Sequence, residues 1–119
     1  MDATVRNSAT TPVGRHPNEV DRKRIERAIE NRKRYKYVSP SVHPIDNGYC
    51  VKSPCCSRNI DPDGGVVDVA IVRHMHGPRP WRLYRKVHST NDWHLQAQFE
   101  RLGELLEQLN TDPQRSFWQ

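Results

Sequence analysis

Two seven-residue stretches, 81–87 and 93–99, alternate in character along the chain and are separated by His88 and the polar run Ser89-Thr90-Asn91-Asp92. In the first, Trp81, Leu83, Arg85 and Val87 alternate with Arg82, Tyr84 and Lys86. In the second, Trp93, Leu95, Ala97 and Phe99 alternate with His94, Gln96 and Gln98. A period of two sends successive side chains to opposite faces of a pleated strand, and a short polar connector joins two such strands as an antiparallel hairpin. The chain must therefore build an antiparallel sheet. The alternation predicts that Trp93, Leu95, Ala97 and Phe99 share one face.

Other segments extend that sheet. Tyr35, Tyr37 and the β-branched Val38 start a short extended stretch that Pro40 and Pro44 are expected to end. Tyr49, Cys50 and Val51 form another after the turn signal Asp46-Asn47-Gly48. Residues 66–72 are β-rich on both faces apart from Asp68, the pattern of a central strand. Helices flank the strands. Asn18 reads as an N-cap, with Glu19 and Asp21 in the first turn and a helix predicted over 20–34, whose apolar stripe is only Val20, Ile25, Ala28 and Ile29. Glu19–Lys23 and Glu30–Arg34 have the favourable i, i+4 spacing. At the other end Phe99, Leu102, Leu105, Leu106 and Leu109 line one face of a helix that ends near Asn110, before the stop Asp112-Pro113. Phe117 and Trp118 follow. Burying each is worth roughly 1.5–3 kcal/mol, so the tail is expected to fold back onto the sheet or the last helix. The predicted fold class is α+β: an N-terminal basic helix, an antiparallel meander of four or five strands, a C-terminal amphipathic helix and an anchored aromatic tail.

Size and composition fit one such unit. The chain has 119 residues, 34% of them hydrophobic, and Leu, Ile, Val and Phe number only twenty-four. That is too few for two cores, and it implies that the apolar residues are concentrated. The expected organisation is a flexible tail over 1–17 and a single domain over 18–119. No apolar run approaches the roughly 20 residues of a membrane helix, and no charged-then-apolar leader is evident, so a soluble cytoplasmic protein without membrane contact is expected. The charge is unevenly placed. Residues 1–36 hold ten Lys/Arg against five Asp/Glu, a net of +5, whereas residues 37–119 hold nine of each.

That asymmetry singles out the first helix. Arg22, Lys23, Arg24, Arg27, Arg32, Lys33, Arg34 and Lys36, beside Tyr35 and Tyr37, form a candidate site for DNA, RNA or another polyanion. Lys and Arg neutralise phosphates, and tyrosines stack on unpaired bases. The competing reading is a solvated helix or a protein-docking surface, because acids are interleaved and the charge wraps the helix. The long loop Ser53-Pro54-Cys55-Cys56-Ser57-Arg58-Asn59-Ile60-Asp61-Pro62-Asp63-Gly64-Gly65 is the second candidate. Cys55 or Cys56 would serve as a nucleophile with Arg58 lowering the thiol pKa, against the reading of an Ω-like loop with Asp61 and Asp63 capping its turns. Three cysteines, Cys50, Cys55 and Cys56, do not make a disulfide framework. With His43 they would make a zinc set only through adjacent cysteines, which suit a tetrahedral metal poorly; no metal or cofactor is expected. His74 and His76 share strand parity, and His88 and His94 flank the hairpin turn; exposed surface histidines are the favoured reading of both pairs.

The cysteine loop continued to Ala70, together with Trp81-Arg82-Leu83-Tyr84, Trp93 and the ending Asp112-Pro113-Gln114-Arg115-Ser116-Phe117-Trp118, resembles a bacterial family of small uncharacterised proteins catalogued as a domain of unknown function. The resemblance spans residues 20–118. It implies one fold unit and a bacterial cytoplasmic setting, and it carries over no catalytic residue. Cys50 is not part of the pattern. The expected function is that of a non-enzymatic accessory protein binding nucleic acid or a nucleoprotein through the basic helix. The alternative is a protein–protein adaptor using the tryptophan hairpin and sheet face, and a thiol- or zinc-dependent enzyme at the cysteine loop is the less favoured third reading.

Overall fold

The computed structural model describes residues 16–32, 39–54 and 65–118. Helix α1 spans Glu19–Ala28 and continues as a 3-10 turn, Ile29–Asn31. Asn18 is extended, and its side-chain oxygen accepts from the Asp21 amide at 2.8 Å, which satisfies one of the orphan donors of the first turn. The apolar stripe is narrower than expected, because Ile25 and Ile29 are buried and Ala28 is partly buried, but Val20 is 71% exposed. The rest of the predicted 20–34 helix, and the extended stretch at Tyr35, Tyr37 and Val38, fall among residues 33–38, outside the described residues.

Five strands follow: β1 Ser41–Ile45, β2 Gly48–Pro54, β3 Val66–His74, β4 Trp81–Val87 and β5 Asp92–Phe99. They pair antiparallel in sequence order, so the sheet is a meander with β3 at its centre. This confirms the α+β class. Pro44 does not end an extended segment as expected; it lies within β1. It is tolerated because β1 is an edge strand, where one amide faces away from the ladder. Asn47 makes the β1–β2 turn in the left-handed region, at φ 62°. Gly48 then passes so close to β3 that a Cβ there would sit 2.0 Å from the Val72 carbonyl oxygen. Only glycine fits that approach.

Two bulges change which residues share a face. Register shifts between Val51 and Lys52, where Val69 is the extra residue, and between Leu83 and Tyr84, where Gln96 is. Ala97 pairs with Leu83, but Leu95 pairs with Tyr84 and Trp93 with Lys86. Paired residues point to the same face, and an inserted residue reverses the parity of everything beyond it. The expected common face of Trp93, Leu95, Ala97 and Phe99 is therefore wrong. Ala97 and Phe99 lie on the face of Leu83, and Trp93 and Leu95 lie on the face of Tyr84.

The Leu83 face meets the helices. Ile25 and Ile29 join Val42, Tyr49, Val51, Ala70, Val72, Trp81 and Leu83 in one core cluster with Leu102, Leu105, Leu106 and Leu109. Those leucines come from α2, Leu102–Thr111. It begins three residues after Phe99, which stays in β5 and packs against the cluster from there. Asn110 Nδ2 donates to the Ala28 carbonyl at 2.9 Å and ties the two helices together. After α2 the chain turns through Asp112 in the left-handed region, φ 40°. The Asp112 carboxylate, 1% exposed, accepts from the amides of Ser116 at 2.7 Å, Phe117 at 3.2 Å and Trp118 at 2.8 Å. Phe117 and Trp118 are buried, and the Trp118 indole donates to the Leu109 carbonyl at 2.9 Å. The tail folds back as expected, held by an acid that the sequence presents only as a stop.

Candidate nucleic-acid interface

Along α1 the arginines differ in how much charge they offer to a partner. Arg22 forms ion pairs with Glu19 and, at 2.8 Å, with Glu26; Arg24 lies 2.9 Å from Asp21. Glu19 thus takes Arg22 at i, i+3, whose side chain also reaches Glu26 at the next turn. Arg32 is buried at 3% exposure, donates to the Ile29 carbonyl at 2.9 Å and lies over the Trp118 ring at 5.1 Å. Burial lowers its pKa from the ordinary value. It clamps the C-terminal tail. Lys23 and Arg27 are exposed. Lys33, Arg34 and Lys36 lie outside the described residues.

The N-terminal end of α1 is fixed by an aromatic cluster. The His16 ring lies 4.4 Å from the His74 ring and 4.8 Å, edge-on, from Trp81. Its Nδ1 is 2.7 Å from the Tyr49 hydroxyl, which also accepts from the Asn18 amide at 3.0 Å, and 3.6 Å from Asp21. The His16 side chain is 3% exposed, although His16 falls at the end of the segment expected as a tail; residues 1–15 lie outside the described residues. Burial, then the neighbouring His74, lower the His16 pKa, and Asp21 opposes them. Burial lowers His74 as well, with Asp21 raising it and His76 lowering it. Both shifts favour the neutral ring. Trp81 is 8% exposed within this cluster, so the expected docking hairpin does not present it.

The candidate loop residues Cys55, Cys56, Arg58, Asp61 and Asp63 lie outside the described residues. His43 and Cys50 are register partners on β1 and β2. Cys50 is buried, its Sγ 3.8 Å from Asp68, and burial and then that carboxylate push its thiol up to about 11. It is a protonated packing group and not a nucleophile. Among the described residues no group of three or more His, Cys, Asp or Glu is placed to hold a metal ion.

The sheet face opposite the helices is where unexpected residues converge. Register places Ile45, Gly48, Arg73, Arg82 and Gln98 in one row, and His43, Cys50, Ile71, Tyr84 and Leu95 in the next. Beyond them Lys52 pairs with Asp68, and Lys86 with Trp93. None of these residues belongs to the core cluster. The Arg73 guanidinium lies 5.5 Å from the Tyr84 ring centre, and the Lys86 ammonium 4.9 Å from that of Trp93. Asp68 bridges Lys52 at 3.4 Å and Lys86 at 3.5 Å. Leu95 is 46% exposed. Arg82 Nε is buried without a hydrogen-bond partner. In these rows Lys52, Arg73, Arg82 and Lys86 face a single acid, Asp68. The evenly balanced charge of residues 37–119 hides this separation, and the only sequence sign of it is the even-numbered Arg82, Tyr84 and Lys86.

The fold is thus a five-stranded antiparallel meander with two helices on one face, and no helix among the described residues is long and apolar enough to cross a membrane. The chain belongs to the family described as a domain of unknown function, DUF3024, whose sequence pattern matches residues 13–119. No curated protein and no solved structure matches it.

Proposed function

We propose that this domain is a non-enzymatic nucleic-acid binder whose basic first third supplies the electrostatic attraction. The observation that carries the reading is the placement of charge: the whole formal excess of +5 lies in residues 1–36. Lys23 and Arg27 stand exposed on α1, and Arg22 and Arg24 already have carboxylate partners. Contacts of this type read phosphates and not bases, so binding is weak and tolerant of sequence.

Oligonucleotide affinity across a salt series tests this. The logarithm of the binding constant should fall linearly with the logarithm of salt concentration, by roughly 0.7–0.9 per phosphate neutralised. Replacing Lys23 and Arg27 by Gln should flatten that slope more than replacing Arg22 and Arg24, whose charge is partly compensated. Affinity that ignores salt would sink the proposal. A protein–protein adaptor is the second reading, supported by the exposed Leu95 on the edge strand β5. Co-purification of one partner, lost on Leu95→Asp, would favour it.

A further inference from the structure

We propose that the sheet face opposite α1 and α2 is a stacking platform for single-stranded nucleic acid, with bases on Tyr84 and Trp93 and phosphates on Arg73 and Arg82. This rests on the nucleic-acid reading above and gives it a second, different surface. Three observations argue for that occupant. The first is the bulge at Gln96. It moves Trp93 off the core-facing side of β5 and onto the face of Tyr84, where the two rings are diagonal neighbours across β4 and β5. Diagonal positions lie about 7–8 Å apart, within reach of two adjacent unstacked bases.

The second is charge. Among the described residues Lys52, Arg73, Arg82 and Lys86 share this face with one acid, Asp68, and that acid is already bridged by Lys52 and Lys86. The side chain of Lys86 is only 11% exposed; it is held between Asp68 and the Trp93 ring, so it positions the ring instead of reaching for phosphate. Arg73 and Arg82 are direct register partners on β3 and β4. Two like charges opposite each other repel, and a bound phosphate between them removes that repulsion. Arg82 also carries the unpartnered Nε, which gains an acceptor if the guanidinium turns toward such a phosphate.

The third is the composition of the surface. An apolar protein partner would call for a contiguous apolar patch, but here Leu95, Tyr84 and Trp93 are interleaved with guanidinium and ammonium groups. Aromatic rings beside cations suit a ligand that has flat apolar faces along an anionic backbone. Single strands have accessible base faces. In a duplex those faces are stacked away, so Tyr84 and Trp93 would gain nothing from it.

Intrinsic fluorescence supplies a direct readout, because Trp81 and Trp118 are 8% and 2% exposed and Trp93 is partly exposed on this face. The full chain is titrated with a twelve-nucleotide oligo-dT, the matching oligo-rU and a twelve-base-pair duplex, at 50 and 200 mM salt, following tryptophan quenching and the anisotropy of labelled strand. Single strands should quench the fluorescence and bind more tightly than the duplex. Trp93→Ala should abolish the quenching, and Trp93→Ala and Tyr84→Ala should each weaken single-strand binding about 5- to 100-fold, with Trp93→Phe and Tyr84→Phe restoring most of it. Arg73→Gln with Arg82→Gln should lower affinity and reduce the salt slope by about 1.4. The quenching of the unmodified protein needs no variant, so a folding defect in one substitution does not rescue the idea. Duplex bound as tightly as single strand overturns the platform. So does single-strand binding that is untouched by both alanine variants; if that binding still depends on Lys23 and Arg27, the general reading stands and only the sheet face fails. Absence of binding to every oligonucleotide overturns both.

Discussion

Asp112 is the residue whose replacement the structure prices most clearly. Its carboxylate is 1% exposed and collects the amides of Ser116, Phe117 and Trp118 while its own backbone sits at φ 40°. In Asp112→Ala three donors lose their acceptor. Water can reach the partly buried Ser116 amide, but the Phe117 and Trp118 amides are buried. Each orphaned buried donor costs roughly 1–3 kcal/mol, so a loss of about 4 kcal/mol is expected. Detachment of the tail sets a ceiling, since it gives up the burial of Phe117 and Trp118, roughly 3–5 kcal/mol for each such aromatic. Alanine also dislikes the left-handed backbone by roughly 1–2 kcal/mol, a burden that glycine does not carry. Asp112→Gly should therefore be about 1 kcal/mol less damaging than Asp112→Ala. Urea denaturation followed by tryptophan emission measures both. With a slope near 2 kcal/mol per molar, the alanine variant should lose about 2 M in midpoint. A loss under about 1 kcal/mol, or a glycine variant as stable as the parent, would refute the argument that the carboxylate anchors the tail.

Acid should weaken the fold through histidine. His16, His74 and His88 all have pKa values held below the ordinary 6.5 by burial. The unfolded chain therefore binds more protons than the folded one below that value, and stability must fall as pH drops through it. Denaturation midpoints at pH 7.5 and 5.0 should show this loss, and His74→Gln should flatten the dependence; a midpoint that rises toward pH 5 contradicts it. Two glycines should respond oppositely to alanine. Gly48→Ala drives a Cβ into the Val72 carbonyl at 2.0 Å and should cost at least 3 kcal/mol, roughly, or abolish folding. Gly103→Ala, inside α2 with nothing within 4 Å of the new atom, should raise stability by about 0.5–1 kcal/mol, and thermal melts distinguish the two.

Elements governed by local chemistry were legible in the chain. Asn18 caps α1 because its short side chain reaches the Asp21 amide, a contact within one turn. The 66–72 run became the central strand, since β-rich residues on both faces suit a strand with neighbours on both sides. The leucine stripe of α2 and the buried Phe117 and Trp118 follow from the demand to remove large apolar groups from water. Pro44 lies inside a strand because proline forbids only the paired side of a strand, and which strand lies at the edge is a matter of topology. Lys33, Arg34, Lys36 and the Cys55–Cys56 loop candidates fall outside the described residues.

The sequence by itself determined the α+β class, the strand order's antiparallel character, the anchored tail and the concentration of positive charge in the first third. Each depends on near neighbours, on periodicity or on summed charge. Only the tertiary structure decided that Arg32 is a clamp over Trp118, that His16 packs on His74, and that Gln96 bulges. The bulge is the physical reason for the largest difference. One extra residue reverses face parity, and it carries Trp93 and Leu95 from the expected core side to a surface shared with Tyr84, Arg73 and Arg82. Alternation along a strand is written in the chain, but the register between strands is written only in how they pair.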